Sequence, residues 1–230
     1  MPTAILGPRG ARTRRSGRLL CESVMDSDDA KLLEAWRGGD DGAGNALLER
    51  HFVSVFRFFA SKLGDVAAQD LAQGTFESVV HSRDRVREGA KFRGYVLAIA
   101  RNQLLMYLRT RGRRGHEVEL ETSCVDELLP SPDSALAGNE RERLLVRALR
   151  RLQLDQQTLL ELYYWEDLST EEVGDILGVP RGTVKSRLFR AREDLRAVLA
   201  SLATTSNLGV SSIHDFEQWV ARIRGAQPPG

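Results

Sequence analysis

Residues 169–180 leave the chain around them little conformational choice. Ser169-Thr170-Glu171-Glu172 has the form of a capping box: the Ser169 hydroxyl accepts from the Glu172 amide while the Glu172 carboxylate accepts from the Ser169 amide, so a helix starts here. Val173, Ile176 and Leu177 fall on the inward side of that helix, and Gly178 suits the left-handed residue just past its end. Pro180 fits the first turn of a following helix, where its missing amide hydrogen would have had no partner. Two helices joined by so tight a turn, the second rich in Arg and Lys, match a helix-turn-helix.

In the second of these helices Val184, Leu188, Ala191, Leu195 and Val198 form a buried stripe. Thr183, Ser186, Arg187 and Arg190 recur at helical spacing on a different face, flanked by Lys185, Arg192 and Arg196. Such a face sets cations against phosphates while its first turn reaches base edges in the major groove. A merely solvated helix face is the plainer alternative, and the cap, the turn and the paired first helix weigh against it.

The rest of the chain is helical in period. Leu32, Leu33 and Trp36 open one amphipathic segment, which a Gly-rich break from Gly38 to Gly44 interrupts. The next buries Leu47, Leu48, His51, Phe52, Val55, Phe56 and Phe59, and Gly64-Asp65 ends it. A third helix spans about Ala67 to His81, with Leu71, Thr75 and Val79 on one line and Phe76 and Val80 beside it. A basic loop, Ser82 to Lys91, leads to a fourth from Phe92 to about Arg109. Residues 111–139 turn acidic, with Pro130, Pro132 and Gly138, and read as a flexible linker. Helical spacing resumes with Leu144, Leu145, Ala148, Leu149 and Leu152, giving a four-helix module that ends near Leu202. The expected fold is therefore all-α: two small helical domains, 28–110 and 140–202, joined by an acidic flexible linker over 111–139, the second ending in the helix-turn-helix.

Residues 1–27 read as a disordered basic arm without the apolar stretch of a signal peptide, and Met25 offers an alternative start. The extension 203–230 carries one short amphipathic helix, over 211–224. Ser212 is its cap, and Ile213, Phe216, Trp219, Val220 and Ile223 share a face that must be buried on the second domain or on a regulator.

The formal net charge of +1 conceals strong segregation. Residues 81–115 carry +8 and residues 181–200 carry +4, against −7 over residues 116–140. Two basic blocks separated by an acidic one suggest two polyanion-binding surfaces. Apolar content of 42% suffices for a core, whereas no apolar run is long enough to insert in a membrane. Cys21 and Cys124 show no metal-ligand spacing, and His51, His81, His116 and His214 are scattered, so neither a metal nor another cofactor is expected. Nothing between Asp28 and Arg109 supplies a nucleophile with activating partners, so an enzyme such as a recombinase is not favoured.

Three segments carry a resemblance to a known family: Asp70-Leu71-Ala72-Gln73-Gly74-Thr75-Phe76; Phe92-Arg93-Gly94-Tyr95 running into Ile99-Ala100-Arg101-Asn102; and Gly182-Thr183-Val184-Lys185-Ser186-Arg187-Leu188 followed by Arg190-Ala191-Arg192. In this order, about an acidic linker, they resemble bacterial sigma factors of the extracytoplasmic-function group over about residues 28–202. The resemblance implies an RNA polymerase sigma factor that directs core polymerase to promoters, with promoter DNA and the polymerase clamp and flap regions as partners. It leaves room for an anti-sigma factor and implies a bacterial cytoplasmic protein, nucleoid-associated in the holoenzyme, that performs no catalysis itself. Asp70, Leu71, Gln73 and Phe76 would contact core polymerase. Arg83, Arg85, Lys91, Arg93, Tyr95, Arg101, Asn102 and Arg109 would melt and read the −10 element, with Tyr95 where the family usually has Trp, so that Tyr95 either stacks on a base or packs against Phe92. Arg181, Thr183, Lys185, Ser186, Arg187 and Arg190 would read the −35 duplex, and the acidic linker would thread the polymerase cleft toward the RNA exit path. The competing reading is an autonomous dimeric helix-turn-helix regulator, which would bind a palindrome without polymerase.

Overall fold

The computed structural model of the chain describes residues 28–86, 92–111, 140–203, 214, 216–218 and 220–221. Those residues contain no strand. The basic arm, nearly all of the acidic linker and Lys91 lie outside them.

The first domain comprises α1 (28–37), α2 (Asp41–Ala60), α3 (Asp65–Ser82), a 3-10 turn (Arg83–Arg85) and α4 (Phe92–Arg111). The break between α1 and α2 is shorter than the glycine run suggests. Gly39 takes the left-handed turn at φ +100°, the Asp40 side chain accepts from the Ala43 amide at 3.1 Å, and α2 then runs straight through Gly42 and Gly44. Gly44 is needed there for contact rather than flexibility: a Cβ would lie 2.5 Å from Nε1 of Trp36. At its start α1 is anchored by Asp29, which accepts from Arg50 and lies 2.7 Å from Nε2 of the buried His51. Burial pushes the Asp29 carboxyl up, but the hydrogen bonds and charges of His51 and Arg50 outweigh it and hold it below its ordinary range. At its end, Arg37 donates to the carbonyls of Arg83 and Val86, which pins the turn ahead of α4.

Helices α2, α3 and α4 pack against one another. The inward line of α3 is Ala68, Ala72, Thr75 and Val79, while Leu71 and Phe76 are only half-buried. Phe52 stands out from the expected stripe of α2: 41% exposed, it stacks on Phe56 and Phe76. The inward aromatic places on α2 go to Phe59, as expected, and to Phe58.

The second domain is α5 (Glu140–Arg150), α6 (Leu154–Leu160) prolonged by a π-turn (Glu161–Trp165), α7 (Thr170–Leu177) and α8 (Arg181–Ala203). Helices α5, α6 and α7 all pack on α8, whose buried side is Val184, Leu188, Ala191, Leu195, Leu199 and Leu202. Of the C-terminal extension, Phe216 and Val220 are buried, and Phe216 meets the Tyr164 ring edge-on at 5.3 Å. The described residues of this extension thus pack on the second domain, one of the two places expected for it.

The domains meet along a charged seam. Lys62, at the end of α2 and fully buried, donates to Glu161 of the π-turn, which also accepts from Gln157 at 2.8 Å. Arg150 donates to the Lys62 carbonyl, and Glu166 accepts from Ser54 and pairs with Arg57 at 3.5 Å. Burial drives the Lys62 ammonium down and the Glu161 carboxyl up, each against the attraction of the other. A pair so placed adds little net stability over an apolar equivalent, but stranding one partner costs about 3–5 kcal/mol.

Candidate nucleic-acid interface

The helix-turn-helix is closed by the bonds its sequence calls for. The Glu172 amide donates to Ser169 Oγ at 3.3 Å and the Ser169 amide to Glu172 Oε2 at 2.8 Å. Gly178 sits at φ +67°, and the Val179 amide reaches back to the Gly174 carbonyl at 2.9 Å. Pro180 stands one residue earlier than expected, at the cap of α8, with its carbonyl accepting from the Val184 amide. Sequence reading missed Gly174. A Cβ there would lie 2.6 Å from the Val179 carbonyl oxygen, so only glycine lets the turn fold back this tightly.

With Val184, Leu188, Ala191 and Leu195 buried, the opposite side of α8 is forced outward. Arg181, Lys185, Ser186, Arg187 and Arg190 are exposed, and Thr183 is half-buried with its carbonyl accepting from Ser186 Oγ. Arg192, on one shoulder, donates to the Tyr164 hydroxyl at 2.7 Å and lies over the rings of Tyr163 and Tyr164. Burial raises the Tyr164 hydroxyl, so it remains a neutral partner for Arg192 at physiological pH. One further side chain belongs to this face. Phe189 is 64% exposed among the cations, and its signal in the sequence is an aromatic that falls off the buried stripe.

Helix α4 presents a second polar face. Leu97, Ala100, Leu104 and Leu108 are buried as expected, joined by Phe92, Val96 and Leu105. Tyr95, Asn102 and Arg109 align along the outer side, the last two exposed. Tyr95 is held by its hydroxyl, which donates to Ser82 Oγ at 2.7 Å, so its ring is fixed to the end of α3. Gln103 donates to Ser78 Oγ, Arg93 is half-buried, and Arg101 donates to Asp155 of the second domain at 3.3 Å. Arg83 leans over the Trp36 ring, and Arg85 is exposed on the 3-10 turn. Tyr95, Asn102 and Arg109 thus follow one line along α4, Arg83 and Arg85 sit on the turn ahead of it, and Arg101 turns toward the second domain.

Asp70 and Gln73 are exposed on α3, with Gln73 donating to Glu77 at 3.0 Å. Leu71 and Phe76 lie half-buried beside them, and Phe76 stacks on Phe52 at 6.0 Å. The result is an aromatic patch bordered by polar groups, on a different side of the domain's helices from the inward line of α3.

The family models for Sigma-70 region 2 and Sigma-70 region 4 match residues 47–114 and 142–195. The chain is 32% identical over 174 residues to the RNA polymerase sigma factor CarQ of Myxococcus xanthus, covering 74% of this chain and 97% of that one. It is 28% identical to the RNA polymerase sigma-H factor of Pseudomonas aeruginosa, covering 78% and 97%. Among solved structures it is similar to the sigma factor RpoE in its complex with the anti-sigma factor NepR from Bartonella quintana. That likeness is 26% identical with a TM-score of 0.54, covering 67% of this chain and 95% of that one. Two matched regions on two helical domains, together with a relative spanning almost its whole length, place this chain in the extracytoplasmic-function group of sigma-70 RNA polymerase sigma factors, the initiation factors of transcription.

Proposed function

We propose that this sigma factor divides promoter recognition between its two outward polar faces, with domain 28–110 serving core polymerase and the −10 element and domain 140–202 serving the −35 element. The observation that carries the division is the contrast in side chains: an aromatic ring, an amide and guanidinium groups on α4, against a run of Arg and Lys around a small polar first turn on α8. Unpaired bases need stacking, edge hydrogen bonds and phosphate pairing, which Tyr95, Asn102, Arg101 and Arg109 offer together with Arg83, Arg85, Lys91 and Arg93. Freeing a base from the duplex costs a few kcal/mol, which a preformed surface offsets. On α8, Thr183 and Ser186 reach base edges while Arg181, Lys185, Arg187 and Arg190 engage phosphates, and Phe189 offers the apolar contact that suits a thymine methyl.

Asp70, Leu71, Gln73 and Phe76 contact the polymerase clamp, and the second domain contacts the flap. The acidic linker threads the cleft between them, and Phe216 and Val220 of the extension keep their place on the second domain. An anti-sigma factor is a further partner, as NepR is for RpoE of Bartonella quintana. The protein works where polymerase and DNA are, in the bacterial cytoplasm, and acts by binding, leaving RNA synthesis to the polymerase. The relatives do not favour an autonomous dimeric regulator.

Run-off transcription with purified core polymerase and a promoter library tests this reading, and no transcript above core alone would end it. At a responsive promoter, Arg187→Ala should weaken initial binding, whereas Asn102→Ala should slow open-complex formation more than binding. Each should lose about 5- to 100-fold, the worth of one good base or phosphate contact. Equal defects in both steps for both variants would contradict the division.

A further inference from the structure

The C-terminal extension reaches the reading helix α8 through one hydroxyl. Its described residues are helical, and Phe216 and Val220, one turn apart, are buried. Phe216 meets the Tyr164 ring edge-on at 5.3 Å, which sets Glu217 beside that ring's hydroxyl: Tyr164 Oη donates to Glu217 Oε1 at 3.3 Å. The same oxygen accepts from Nε of Arg192 on α8 at 2.7 Å. Chemistry fixes the proton order, because a carboxylate only accepts and a guanidinium only donates. The hydroxyl hydrogen therefore points to Glu217 and a lone pair to Arg192. Glu217 and Arg192 form no ion pair of their own, so the hydroxyl links them. Held through Nε and laid over the rings of Tyr163 and Tyr164, Arg192 keeps its two terminal nitrogens unpaired among the described residues. It follows Lys185 and Phe189 along one side of α8, and both of those are exposed.

Resting on the assignment of α8 to the −35 element, we propose that Glu217 and Tyr164 are positioning residues for Arg192, which makes the C-terminal extension part of the −35 reader: it presents the Arg192 fork, already ordered, to a phosphate of the duplex. A guanidinium meets phosphate best through paired N–H groups, and the two nitrogens left over from the Tyr164 bond supply them. Ordering the side chain before contact spares the entropy of immobilising it on DNA. Charge alone gives Glu217 the opposite sign. A carboxylate beside a cationic helix repels the phosphate backbone, so a Glu217 that acted only by its charge would weaken DNA binding, and its removal would strengthen it.

The test uses the full chain in holoenzyme, on a promoter with a −35 element, and measures initial binding apart from the later opening step. Glu217→Ala should weaken initial binding about two- to tenfold, the worth of one hydrogen bond, and leave the opening rate unchanged. Glu217→Gln, whose amide oxygen still accepts from Tyr164, should bind at least as tightly as wild type. Tyr164→Phe keeps the ring against Phe216 and should weaken binding as Glu217→Ala does, with the double variant losing no more than either alone. Arg192→Ala should lower the salt dependence of binding by about one counterion and abolish the effect of Glu217→Ala. Unchanged or tighter binding by Glu217→Ala would overturn the proposal, and so would wild-type salt dependence in Arg192→Ala. If Arg187→Ala also binds as wild type, the assignment of α8 itself falls; a weakened Arg187→Ala beside an unaffected Glu217→Ala counts against this proposal alone.

Discussion

Helices α4 and α8 bury similar inventories, Val96, Leu97, Ala100, Leu104 and Leu108 in one and Val184, Leu188, Ala191, Leu195 and Leu199 in the other, yet their outward sides are held very differently. On α4 polar groups are tethered within their own domain: Tyr95 to Ser82 and Gln103 to Ser78. On α8, Arg181, Lys185 and Arg190 are exposed and make no ion pair among the described residues. Tethering removes rotamer freedom before any ligand arrives, so a base that must be unstacked meets groups already in place. Long cations left in water can follow a phosphate backbone whatever its sequence, at the expense of ordering them on contact. The inward sides make a helix; on the proposed division, the tethers decide what kind of nucleic acid each suits.

The largest effect should come from disturbing the framework that both helices share. Glu161→Ala strands the Lys62 ammonium in the seam and should destabilise the chain by about 3–5 kcal/mol in denaturant titrations. Replacing the pair together, as Lys62→Met with Glu161→Leu, should recover most of that loss. Next, Leu104→Ala and Leu195→Ala should each cost about 2–5 kcal/mol. Closely matched losses would support the equivalence of the inward sides, and a tolerant α8 would break it. Smaller changes should separate the outward sides. Tyr95→Phe removes the bond to Ser82 and should cost about 0.5–1.5 kcal/mol of stability along with slower open-complex formation. Lys185→Ala should leave thermal stability unchanged and reduce the salt dependence of duplex binding by about one counterion. A Tyr95→Phe chain that melts and opens promoters like wild type would remove the distinction.

How much of this was legible depended on whether the governing contacts are local. The helix-turn-helix could be read because its determinants, Ser169, Glu172 and Gly178, act within one turn of the chain. The line Tyr95, Asn102, Arg109 followed from helical spacing alone, and so did the buried stripe opposite it. Pattern also marked Phe52 as inward, because spacing along a single helix cannot say which neighbour will cover a stripe's edge; Phe58, outside that stripe, takes the core beside Phe59. Gly44 read as part of a break because its reason is a tertiary one, the Trp36 ring lying across α2. The charged seam was hidden for the same reason. Its trace, a Lys within Phe58-Phe59-Ala60-Ser61-Lys62-Leu63 and a Glu within Leu159-Leu160-Glu161-Leu162, is a charge inside each of two apolar runs 99 residues apart.

Gly174 bears on how such a protein diversifies. The tightness of the turn depends on a missing side chain inside α7 and on Gly178 and Ser169 beyond its two ends, all upstream of the outward positions 183, 186 and 190 on α8. Scaffold and address are therefore written in different letters. Exchanging these three residues leaves every bond of the turn in place, so on the proposed division this domain takes a new promoter vocabulary by grafting, without refolding or rescue elsewhere.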